Sequence, residues 1–151
     1  MSRTAITAID AAAVGPYSHA IDADGLIFLS GQTPIDNATG SLVDGTIEDQ
    51  VRQCLANLEA VLRATDLTFD DVIKCNVFLR DMRDFASMNT AYATHFADPA
   101  PARTTIGVAS LPLDANIEIE MIARRPDPSA RCPTHRRCEH DWSTSSADPA
   151  G

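Results

Sequence analysis

The sequence predicts an α+β fold, a mixed sheet with two helices on one face, and three observations carry that expectation. An apolar stripe at three- and four-residue spacing runs over about 46–64, and a second one runs over about 84–97. The segments around them alternate apolar and polar residues over short runs bounded by turn signals, as half-buried strands do. The order reads ββ(β)-α-β-α-ββ, which fits helices gathered on one side of a mixed sheet better than a doubly wound parallel one.

The first strands are expected at 4–7, 19–23 and 26–30, with Ala23-Asp24-Gly25 as a tight hairpin connection because Gly accepts positive φ and Asp tolerates it. The first helix places Ile47, Val51, Cys54, Leu55, Leu58, Val61 and Leu62 on one stripe, with Glu48, Arg52, Gln53 and Glu59 elsewhere. Thr46 is its expected cap, and Glu48 and Asp49 suit the positive end of the helix dipole. In the strand expected at 72–81, Ile73, Cys75, Val77 and Leu79 alternate with Val72, Lys74, Asn76 and Phe78, so both faces are partly covered.

The second helix gathers Phe85, Met88, Ala91, Tyr92, His95 and Phe96 near one face, with Asp84 as its cap and Asp98-Pro99 as its stop. Two more strands follow at 103–109 and 117–123. The sheet face away from the helices is apolar as well, and an oligomer interface is the economical cover for it. One domain therefore spans 1–125, and 126–151, rich in Pro, Ser, Arg and Asp without apolar periodicity, reads as a disordered tail.

Charge and composition exclude several functions. A net charge of −9 disfavours nucleic acid, whose binding depends on clustered Lys and Arg, and the acidity is concentrated in the folded part. No apolar run approaches the roughly 20 residues of a membrane span. The opening residues lack a basic stretch followed by an apolar one, so the expected setting is cytoplasmic. Four cysteines make no disulfide framework here, and Cys54 and Cys75 fall on apolar faces. Cys132, His135, Cys138 and His140 have donor types for zinc but no supporting core, so no metal is expected. A Gly-rich phosphate loop, an HExxH helix and a G-x-S-x-G elbow are all missing from the sequence.

Three segments remain unexplained, GPYSHA at 15–20, SGQTPID at 30–36 and PARTTIGVASLP at 101–112, together with Asn89 in FASMNTAY and Glu118 in an aliphatic strand. Singly they read as turns, a rim aromatic, and a strand with one solvated face. In this order and spacing, from about residue 5 to residue 123, the chain resembles the reactive intermediate deaminase (Rid/YjgF) family. The resemblance implies a chorismate-mutase-like fold and a homotrimer forming a central barrel, with sites between subunits.

It further implies that Arg103 holds a substrate carboxylate, that Glu118 positions an attacking water, and that Tyr17, Ser30, Gly31 and Asn89 line the same cleft. Thr105 stands where members with the deaminase motif often have cysteine, and its backbone amide keeps the substrate contact. Glu120 matches a family glutamate without a catalytic role. The implied activity is cofactor-free hydrolysis of 2-iminopropanoate (2-aminoacrylate) or 2-iminobutanoate to the 2-keto acid and ammonia. A guanidinium clamps a carboxylate through two parallel donors, and one carboxyl group can pass the protons that C=N hydrolysis needs. The alternatives are deamination of another catabolic enamine such as 2-aminomuconate, and non-enzymatic binding of small acids or stressed proteins.

Overall fold

The structure, a computed structural model, describes residues 2–11 and 15–127. The expected tail and its Cys/His cluster lie outside these residues, apart from the first positions after Arg125. Strands β1 (Arg3–Ile6), β2 (Ala20–Ala23) and β3 (Leu26–Gln32) form an antiparallel meander. A small separate hairpin, β4 (Ile35–Asp36) and β5 (Ser41–Leu42), leads into α1 (Ile47–Ala64). Then come β6 (Val72–Leu79), α2 (Phe85–Ala93), β7 (Ala102–Gly107) and β8 (Ile117–Arg124).

The six-stranded sheet has the order β1-β2-β3-β8-β6-β7. Strand β8 runs antiparallel to both β3 and β6, so β3 and β6 point the same way, with α1 as the crossover between them. Helix α2 makes the second crossover, joining β6 to its parallel neighbour β7. Both helices pack on the same side of the sheet. There, Val51, Leu55, Leu58 and Leu62 of α1 meet Ile27, Leu29, Val77, Ile119 and Met121 of the sheet in a closed core. Each such side chain contributes on the order of 1.5–3 kcal/mol by leaving water.

Helix α1 begins as the sequence predicts. The Thr46 side chain accepts from the Asp49 amide and the Asp49 carboxylate accepts from the Thr46 amide, a reciprocal capping box. At its other end Asp66 takes φ 60°, and the amides of Asp66 and Leu67 turn back to the carbonyls of Arg63 and Leu62.

Other expectations are corrected. The second helix stops at Ala93, not near residue 97. The Asp84 side chain makes no capping bond; Asp81 accepts from the Arg83 amide instead, opening a short 3-10 turn that feeds the helix. The hairpin at 35–42 was not anticipated, because two-residue strands leave no periodicity to read. Ile73 is exposed and Val72 buried, the reverse of simple alternation with Cys75, because the β6–β8 register shifts between Val72 and Lys74. The extra residue turns Ile73 outward while Cys75, Val77 and Leu79 stay in the core.

The sheet face opposite the helices carries Leu26, Phe28, Ile73 and Ile106, all exposed, around the two carboxylates of β8. Among the described residues nothing covers it. No helix of the described residues is long and apolar enough to cross a membrane.

Candidate active site

Apart from Thr105, the residues singled out by sequence fall into two clefts, separated by the sheet. The first lies at the open face and holds Tyr17, Ser30, Gly31 and Glu118, along with Gln32, Thr33, Ile35, Pro112 and Leu113, around a volume of about 200 Å³. The second, about 590 Å³, lies beside α2 and holds Arg103 and Asn89 with Tyr92, Phe96 and Pro101 among its walls.

The first cleft is built by a bulge. Between the Leu29–Met121 and Gln32–Ile119 pairs, Ser30 and Gly31 of β3 oppose the single residue Glu120 of β8. Ser30 is fixed by its amide, which donates to the His19 carbonyl at 3.0 Å, and by its hydroxyl, which donates to the Ser18 carbonyl at 2.7 Å. Buried His19 is itself held by the Ala8 amide, which donates to Nδ1 at 3.0 Å, and its ring meets the Tyr17 ring edge-on. The bulge brings Gly31 against Glu118. A Cβ at position 31 would overlap Glu118 Oε1 and sit 2.9 Å from its Cδ, so only glycine leaves the carboxyl group in place.

The two glutamates of β8 are chemically distinct. Glu120 accepts from Asn76 Nδ2 at 2.7 Å, which ties it into the sheet face. Glu118 has no hydrogen-bond partner among the described residues and lines the cavity. Burial pushes its carboxyl pKa up, and the adjacent Glu120 carboxylate adds to the rise. Such a group holds and releases a proton closer to neutrality than an ordinary glutamate does.

Pro112 and Leu113 close one side of this cleft from a 3-10 turn, Pro112–Asp114, that is bent out of helical geometry. Leu113 has φ 58° and Asp114 φ 60°, a conformation that costs an ordinary side chain about 1–2 kcal/mol. Arg80, directly after β6, holds the turn through Nη1, which donates to the Asp114 carbonyl at 2.9 Å and pairs with its carboxylate at 2.6 Å.

In the second cleft, Arg103 Nη2 donates to Asn89 Oδ1 at 2.7 Å, and the guanidinium lies 4.7 Å from the centre of the Tyr92 ring and 5.9 Å from that of Phe85. No carboxylate pairs with it among the described residues, and its other donors are unmatched. Beneath it sits buried Cys75, whose thiol pKa is raised by burial, and which faces the buried Tyr92 hydroxyl. Thr105, two residues along β7 on the same face as Arg103, lines neither cleft; its buried hydroxyl has no hydrogen-bond partner.

Sequence reasoning missed Tyr92 as a support for Arg103, having placed it simply on the apolar face of its helix. Its spacing of three from Asn89 was the available signal, since it puts both on one side of α2. Leu113 left no signal, because a positive φ at leucine is invisible in sequence.

A family model described as endoribonuclease L-PSP matches residues 6–125. A RutC family protein of Pyrococcus horikoshii is 51% identical over 110 residues, covering 73% of this chain and 87% of its own. The mouse (Mus musculus) protein named 2-iminobutanoate/2-iminopropanoate deaminase is 43% identical over 112 residues, covering 74% and 83%. Among solved structures, E. coli TdcF with bound serine superimposes with a TM-score of 0.75 at 38% identity, over 82% of this chain and 99% of that one.

Proposed function

This chain belongs to the endoribonuclease L-PSP (Rid/YjgF) family, and from that premise we propose that it is a hydrolytic deaminase of 2-imino acids and their enamine tautomers. The substrates are 2-iminopropanoate and 2-iminobutanoate, and the products are the 2-keto acid and ammonia. The observation that carries the reading is the pair of unmatched groups: a guanidinium with free donors, and a partner-free carboxyl of raised pKa lining a small cavity.

Arg103, preset by Asn89 and Tyr92, grips the substrate carboxylate and fixes C2. Glu118 takes a proton from water as the oxygen adds to C2 of the protonated imine, giving a neutral carbinolamine. Its acid form then returns that proton to the nitrogen, and the carbinolamine hydroxyl passes its own proton back to the Glu118 carboxylate as the C–N bond breaks, the carbonyl forms and ammonia departs. The residues need no cofactor for these steps. Gly31→Ala should force Glu118 out of the cavity and lower turnover roughly tenfold or more, with unchanged circular dichroism, because misplacing a catalytic group is costly at the ångström scale.

In one copy the sheet keeps Arg103 and Glu118 apart, Arg103 with the core-facing residues and Glu118 on the open face. A second copy seated on that face would join them, and its cover is also what Phe28, Ile73 and Ile106 lack. We therefore read the assembly as a homotrimer with a central barrel and sites between subunits. Light scattering should give three times the monomer mass; an active monomer overturns this. Trimers mixed from equal amounts of Arg103→Ala and Glu118→Gln chains should recover about a quarter of wild-type turnover, since a site with both native groups needs one of each chain. Recovery is absent if each subunit holds a whole site.

The test of the activity itself is ammonia and keto-acid release from an imine generated in situ by a pyridoxal-phosphate dehydratase. The size of the Arg103 cleft favours a bulkier enamine such as 2-aminomuconate as the second reading, and the same assay on that substrate separates the two. A nuclease reading, which the family description invites, meets a chain of net charge −9 with paired carboxylates on the open face, the wrong sign for a phosphate backbone.

A further inference from the structure

We propose that Leu113 is a specificity-determining residue, the apolar wall that receives the carbon chain of the substrate in the Glu118 cleft; this rests on the deaminase reading above. Three observations carry it. Leu113 lines the same small cavity as Glu118, Tyr17 and Ile35. The residue is 53% exposed, so it is not held there by the core of its own chain. Its backbone is held in the left-handed region, next to a second residue in the same region, and Arg80 anchors the turn by two contacts to Asp114.

A bulky, exposed side chain gains nothing from a strained backbone, and glycine or asparagine would relieve the strain at that position. The turn instead presents Leu113, together with Pro112, to the cavity that contains the carboxyl group. With the substrate carboxylate directed to Arg103 and C2 to the water at Glu118, the third arm of C2 is the carbon chain. Ile35, Pro112 and Leu113 are the aliphatic side chains lining the cavity; Ile35 is buried, and of the two exposed ones Leu113 has the longer, rotatable side chain to lay against a ligand. A chain of a few methylene groups loses water against it, whereas a carboxylate or amide laid on the same leucine exchanges its hydration for an apolar surface. The cleft should therefore rank imines by apolar chain length and reject charged chains.

The experiment compares imines released by an L-amino-acid oxidase from alanine, norvaline and aspartate, with wild-type protein, Leu113→Gly and Leu113→Asn. Both substitutions accept the positive φ, so melting should stay level or rise. For each variant kcat/KM on the norvaline-derived imine should fall about tenfold, while on the alanine-derived imine it changes less than about twofold. Calorimetry of 2-oxopentanoate against pyruvate should show the same shift in ratio without any turnover.

Equal losses on both imines, or none, would overturn the proposal, as would loss of self-association in Leu113→Gly, which would make Leu113 a subunit contact. If wild-type protein releases ammonia from no imine, the deaminase reading fails. The calorimetric ratio then decides the fate of Leu113 alone.

Discussion

Arg103→Lys should lower imine turnover by on the order of a hundredfold, and Arg103→Ala should lower it further. Lysine keeps the charge but not the planar fork. The wild-type guanidinium is held by Asn89 on one side and lies against the Tyr92 ring, so its unmatched donors are already directed when the substrate arrives. An ammonium can neither stack in that manner nor hold a carboxylate at two points, and the imine carbon would sample positions remote from the water. Folding should survive, because the side chain is only partly buried and pairs with no carboxylate whose charge would be stranded. Calorimetry with 2-oxobutanoate checks the assignment: binding should vanish in both variants. Wild-type hydrolysis by Arg103→Ala would reduce this residue to a solvated strand-start arginine.

Glu118→Gln should cut turnover by about 10²–10⁴-fold while 2-oxobutanoate still binds through Arg103, since the amide keeps the shape but cannot take a proton from water. The raised pKa sets the sign of two pH effects. In wild-type protein the water-activating form is the carboxylate, so activity should fall on acidification at a pH above the ordinary glutamate value of 4.5, and this limb should be missing in the glutamine variant. For stability, a carboxyl whose folded pKa is raised favours folding most when protonated in both states. That contribution is present below the unfolded pKa and is lost as pH rises through the folded one. Glu118→Gln should thus melt at or above the wild-type temperature near neutrality, and the difference should fade in acid. A pronounced loss of stability at pH 7 would mean that Glu118 is a structural anchor.

The fold was legible where periodicity ran long. Helix α1 carries its stripe over 18 residues and its capping pair in plain view, and its observed boundaries follow the sequence closely. The strands were legible in place but not always in facing, since a single inserted residue at Ile73 reverses the pattern and leaves no compositional mark. Site residues became legible only as a set, through a resemblance. Arg103, Asn89 and Glu118 look ordinary by spacing alone, and their meaning depends on which face of the sheet each occupies. That assignment rests on pairings between segments far apart in sequence, such as Cys75 with Arg103 and Phe78 with Glu118. Leu113 was illegible because its distinguishing property is a dihedral angle.

The position of β8 bears on how the chain folds. The last strand of the described residues, β8, lies between β3 and β6, so those two strands have no common partner until residues 117–124 have left the ribosome. A nascent chain ending before Ile117 would hold the meander and the β6-α2-β7 unit as two pieces with exposed edges and a half-covered α1. Pairing across such sequence distances is slow, and it leaves those edges open to other chains during synthesis. The strand that closes the sheet is the one that carries Glu118, so the carboxyl proposed to activate water arrives only with the strand that joins the two halves of the sheet.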